Sequence, residues 1–134
     1  MYWRRYLLMF LAVATGAAQA ESWTHVTYAA NGAEVAVDRE TLEAKDGWVR
    51  VWVRYDYTTV RTEKNRALVL QQEFNCNGKY ARIISSTFYD PYGKAASKDD
   101  RASDYAEVKP GSVNDGIGKT ACAIGAAQES AAPR

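Results

Sequence analysis

Residues 48–57 read WVRVWVRYDY. Side chains alternate across an extended chain, so Val49, Val51, Val53 and Tyr55 fall on one side and Trp48, Arg50, Trp52 and Arg54 on the other. This period of two predicts a half-buried strand, with the valine side as core. The second side is not ordinary solvent decoration, because two tryptophans alternate with two arginines. Both residue types are enriched where proteins bind each other, since flat groups desolvate well and arginine adds paired hydrogen bonds. The same side is equally compatible with tryptophans packed under another element, or with arginine stacked on tryptophan inside the fold.

The neighbouring segments extend the pattern. Residues 58–66 form a polar connection, after which Leu68, Leu70, Gln72, Phe74 and Cys76 share one side of a second strand. Asn77-Gly78 follows directly and Lys79–Tyr89 is β-prone again, so these two runs predict a hairpin. Upstream, residues 23–28 and Glu34–Asp38 are short β-prone runs separated by Asn31-Gly32. A polar stretch over 39–46 then reaches Asp46-Gly47, another hairpin signal. Downstream, Asp90-Pro91-Tyr92-Gly93 opens a polar loop to Asp100, and 102–108 reads as one more strand, packed through Tyr105 and Val108.

Pro110-Gly111 ends that strand. Ser112 reads as a helix N-cap with Asp115 three residues on, and Val113, Ile117, Ala121 and Ile124 recur at helical spacing. Gly116 and Gly118 should weaken this helix by about 1 kcal/mol each relative to alanine, so it needs tertiary support. Residues 125–134 lack periodicity and read as a flexible tail. The expected fold is α+β: an antiparallel sheet of five or six strands with one C-terminal helix tied to it by a disulfide.

The staple follows from the compartment. Residues 1–20 combine Arg4 and Arg5, an apolar run from Leu7 to Ala14, and Ala18-Gln19-Ala20. This is the three-part pattern of a secretory signal peptide, and it places cleavage between Ala20 and Glu21. The apolar run is far short of the roughly 20 residues that span a bilayer, so no membrane span is expected after cleavage. An even pair of cysteines in an exported chain is most simply a disulfide, and Cys76 and Cys122 have only each other. No C-x-x-C spacing supports a redox-active pair. The expected domain therefore spans residues 21–124.

Composition narrows the function. The chain has 134 residues with 17 Lys+Arg against 16 Asp+Glu, so no basic excess exists to neutralise phosphates, and nucleic acid is not an expected partner. With 47% apolar residues it can bury a real core. His25 is the sole imidazole, and it lies on a strand without a G-x-S-x-G motif or a free cysteine, so it reads as structural or surface. Asp99, Asp100 and Asp104 read as solvated loop charge rather than a catalytic carboxylate pair. No metal-ligand spacing is present, and neither a metal nor any other cofactor is expected.

Taken in order, several elements resemble the bacterial surface-adhesin protein E-like domain. They are Trp23, Val37-Asp38, Val49-Arg50-Val51-Trp52, Tyr55-Asp56-Tyr57, Glu73-Phe74-Asn75-Cys76, Arg82-Ile83-Ile84, Phe88-Tyr89, Val108-Lys109-Pro110-Gly111-Ser112 and Cys122. The resemblance implies an exported, non-enzymatic module that binds host matrix and plasma proteins. The alternative is an envelope housekeeping protein, an inhibitor or chaperone-like factor, retained in the periplasm. Anchored members would carry a lipid-modified cysteine at the mature N-terminus, and none lies near Ala20. The location is therefore periplasmic, or cell surface or secreted, in a bacterium with a Gram-negative-type envelope. Expected binding residues are Arg50, Trp52 and Arg54 on the sheet and Tyr89 and Tyr92 flanking Pro91. An exposed edge strand offers a further route, to a partner's strand or to a homodimer.

Overall fold

The computed structural model describes residues 22–131. The expected signal segment and its cleavage point at Ala20 and Glu21 lie outside the described residues. The strands are β1 (Trp23–Tyr28), β2 (Glu34–Asp38), β3 (Glu43–Lys45), β4 (Trp48–Asp56), β5 (Ala67–Asn75), β6 (Tyr80–Tyr89), β7 (Ala95–Asp99) and β8 (Ala106–Glu107), followed by helix α1 (Val113–Ala131). They form one antiparallel sheet in the order β1-β2-β4-β5-β6-β7, with β3 beside the start of β4 and β8 beside the start of β6.

The turns carry the local signals. Asp46 and Gly47 both have positive φ, 52° and 80°, which matches the right-handed twist of a tight hairpin and favours Asp-Gly there. At the β5–β6 turn, Gly78 N donates to Asn75 O at 2.9 Å and Asn77 N donates to Asn75 Oδ1 at 2.8 Å. The register that follows pairs Val49 with Phe74, Val51 with Gln72 and Val53 with Leu70.

One side of the sheet carries the core. Val35, Val37, Val49, Val51, Val53, Phe74 and Ala81 pack with Ile117 and Ala121 of α1. The helix begins as expected, with Asp115 N donating to Ser112 Oγ at 3.1 Å and Gly111 N donating to Asp115 Oδ2 at 2.9 Å. Gln72 is buried on this side and finds a partner in Asn114, donating to its Oδ1 at 3.4 Å. The disulfide joins Cys76, just after β5, to Cys122 in α1, with a Cα separation of 5.6 Å.

The helix glycines have a packing reason. A Cβ at Gly118 would stand 2.8 Å from Cδ1 of Phe74, and one at Gly125 would stand 3.0 Å from Val49 Cγ1. Close approach of helix to sheet therefore depends on these missing methyl groups. Gly118→Ala should gain about 1 kcal/mol in helix propensity and lose more to overpacking against a fixed ring. The expected net result is a stability lower by about 1 kcal/mol in urea unfolding. A more stable variant would show that Phe74 has room to move.

The structure differs from the sequence reading in four segments. The strand expected over 102–108 shrinks to β8, and Tyr105 lies before it, half-exposed, with its hydroxyl donating to Glu73 rather than packed as a strand residue. β3 lies within the polar stretch 39–46, and it is too short to show a period, with only Ala44 directed towards the core. β7 lies within the supposed loop, because an edge strand exposed at every residue has no apolar alternation to read. The helix continues past Ile124 to Ala131. Its last turns are exposed and alanine-rich, so propensity rather than burial sustains them, assisted by Gln128 Nε2 donating to Arg39 O at 2.9 Å.

Candidate functional site

Since α1 takes the valine side of β4, the tryptophans do not pack beneath it. Trp48, Arg50, Trp52 and Arg54 stand on the opposite face, level with Asn75, Glu73, Gln71 and Val69 of β5. No second layer covers this face among the described residues. The segment leading into β8 folds over one end, placing Tyr105 there. Two clusters result.

The first is built on Glu73, 9% exposed. Arg50 donates to its Oε2 through Nη2 at 2.7 Å and through Nε at 3.1 Å. Arg82 Nε donates to Oε1 at 3.1 Å and the Tyr105 hydroxyl donates to the same oxygen at 2.8 Å. Arg82 also stacks 4.7 Å from the Tyr105 ring centroid, and Trp48 meets that ring edge-on at 5.3 Å. Burial would raise the Glu73 pKa, but its donors outweigh burial and hold the carboxyl below its ordinary value. The same contact raises Tyr105, and hydrogen bonding to Glu73 raises Arg50. Tyr105→Phe removes one hydrogen bond to a charged acceptor and should lower stability, checked by chemical denaturation. An unchanged stability would mean that water replaces the hydroxyl without loss.

The second cluster surrounds Trp52. Arg54 lies 4.7 Å from the Trp23 ring centroid, and its Nε is buried without a hydrogen-bond acceptor. Beside them a groove of about 350 Å³ is lined by Trp23, Trp52, Tyr89, Asp38, Glu40 and Thr41. Trp52 and Tyr89 make no ring stacking or cation contact among the described residues.

The sequence-derived residues thus separate. Arg50, Trp52, Arg54 and Tyr89 share the open face, but both guanidinium groups already serve internal contacts. Tyr92 is 88% exposed in the β6–β7 turn, where its N donates to Asp90 Oδ1 at 2.9 Å, and it does not line the groove. The connection 58–66 is anchored by buried Val60, with Tyr57 N donating to Arg66 O at 2.9 Å. His25 is exposed on β1, its ring 4.9 Å from that of Tyr28 in a tilted contact. Among the described residues no group of three His, Cys, Asp or Glu side chains could hold a metal ion. Sequence reading missed Asp38, Glu40 and Thr41 as groove residues. Nothing local marks them, because Asp38 meets Trp23 only through the β1–β2 register, beside the β2–β4 pairing that brings β4 alongside.

Fold and site define a disulfide-stapled, single-helix sheet domain with one sheet face left open. The model of the surface-adhesin protein E family matches residues 23–123, and the chain belongs to that family. No curated protein matches the chain.

Proposed function

We propose that this chain is an exported, non-enzymatic protein-binding module that holds a partner protein against the open face of its sheet. One observation carries the reading: Trp52 and Tyr89 present large rings on a helix-free face without a ring-stacking or cation contact among the described residues. Such rings, lining a groove, are among the residue types on which binding energy concentrates. Family membership supports a host matrix or plasma protein as the partner, displayed to it from the bacterial surface. The closed disulfide accords with an oxidising compartment.

The test uses purified mature chain over immobilised matrix and plasma proteins. Binding should weaken about tenfold in Trp52→Ala. Binding that is equal in wild type and variant would move the site off this face. Protease shaving of intact cells settles the location. Loss of the protein before lysis is expected for a displayed adhesin, whereas protection until lysis would assign it to an envelope partner in the periplasm.

A further inference from the structure

The groove at Trp52 combines features that point to one kind of occupant. Asp38 forms part of its wall and is 4% exposed. The carboxylate accepts from Glu40 N at 3.1 Å and from Thr41 Oγ1 at 2.7 Å, bonds that fix its direction without neutralising it. Among the described residues no basic side chain lies within ion-pair distance of it. Glu40 adds a second, exposed carboxylate, held by Ser22 Oγ donating at 3.0 Å. Arg54 lies over the Trp23 ring and makes no ion pair with Asp38 among the described residues.

A carboxylate taken out of water without a counter-charge favours any cation that can reach it. Three aromatic rings line the same groove, and an aromatic face attracts a cation more strongly once water is excluded. The chain itself displays that chemistry next door, where Arg54 stacks on Trp23 at 4.7 Å. Among the described residues, Trp52 and Tyr89 have no such cation of their own. At about 350 Å³ the groove has room for an ammonium or guanidinium head with its alkyl stem.

We infer that the groove formed by Trp23, Trp52, Tyr89, Asp38 and Glu40 receives a lysine or arginine side chain from a basic segment of the partner protein. This rests on the open face being the binding surface and specifies what that surface selects. The carboxylates supply charge, and the rings bury the stem and exclude water.

The test is fluorescence anisotropy at low salt with two probes, a labelled lysine–glycine repeat peptide and the same peptide acetylated on every lysine. The lysine peptide should bind at least about tenfold tighter than its acetylated twin. Asp38→Asn keeps the shape of the turn and removes the charge. It should weaken lysine-peptide binding about fivefold to tenfold. Glu40→Gln lies at the exposed rim and should weaken binding about threefold, which keeps the test decisive if the Asp38 variant fails to fold. Asp100→Asn, on the far side of the sheet edge, should change nothing. Equal binding of both peptides, or of neither, overturns the inference. So does a neutral chito-oligosaccharide that binds in a Trp52-dependent way where the lysine peptide does not. Matrix-protein binding that still depends on Trp52 under those results would remove the cation alone and leave the open-face reading standing. Matrix-protein binding indifferent to Trp52 would remove both.

Discussion

Cys76→Ala or Cys122→Ala is expected to lower the midpoint of thermal unfolding by roughly 15 °C. The bond spans 46 residues, and closing such a loop restricts the unfolded chain by about 4 kcal/mol in the chain-entropy description. The native side explains why little else would compensate. α1 rests on the sheet through a short list of buried groups, chiefly Ile117 and Ala121, with Gly125 allowing close approach. Three glycines between 116 and 125 lower its intrinsic helicity. Cys122 lies next to Ala121, so the bond holds the helix at its point of contact. Calorimetry on each single variant, on the double alanine variant and on the reduced wild type separates loss of the bond from the effect of an unpaired thiol. All four should fall together. A single variant that melts like wild type would mean that the bond adds nothing to the packing of α1.

Glu73→Ala should cost about 3 kcal/mol, the second largest effect. The substitution strands two guanidinium groups and the Tyr105 hydroxyl at once. Arg50 and Arg82 keep 43% and 28% of their side-chain surface in water, which holds the loss to the lower end of that for a broken buried pair. Glu73→Gln keeps the volume and one acceptor and should lose about half as much. The pH dependence has a definite sign. The Glu73 carboxyl is held below its unfolded value, so its contribution is complete above the ordinary carboxylate range and is lost as pH falls through the folded value. Asp56 moves in the same direction: burial, which would raise it, is outweighed by hydrogen bonds from Thr58. Urea unfolding of wild type and Glu73→Gln at pH 7 and pH 3 isolates the Glu73 part. The gap between the two proteins should narrow on acidification, and a gap of constant size would show that the carboxylate form is not the one being stabilised.

The parts of this molecule legible from sequence are those in which local chemistry and burial agree. WVRVWVRYDY alternates without interruption, and its valines are the core. Asp46-Gly47 and Asn77-Gly78 each join adjacent strands, and Ser112 caps α1. Where burial supplies no period, the pattern was silent, as in β7 and in the helix beyond Ile124. The candidate site was half legible. Trp52 and Arg50 stood out by type and spacing, but which side of β4 the helix would choose could not be read from β4 itself. Leu70 and Phe74 on β5 and Val35 and Val37 on β2 had to join the valines first. Asp38 and Tyr105 were invisible as site residues for the same reason, since their partners come from other strands. The arginines show a different limit: residue type marked them as contact-forming, while Glu73 and Trp23 had already claimed them.

The placement of the two cysteines also sets the order of events as the chain matures. With only two in the whole sequence, a single pairing exists, so closure requires an electron acceptor but no isomerase to correct mispaired bonds. Cys76 directly follows the second of three long strands, and Cys122 lies near the end of the domain. A chain emerging from its N-terminus therefore cannot close the bond until β1 through β8 are all available. The hairpins join neighbours in sequence and can form as they appear, whereas the helix arrives last and is locked on last. Until then the valine face is uncovered, and that interval between sheet formation and helix docking is when the protein is most exposed to aggregation and proteolysis.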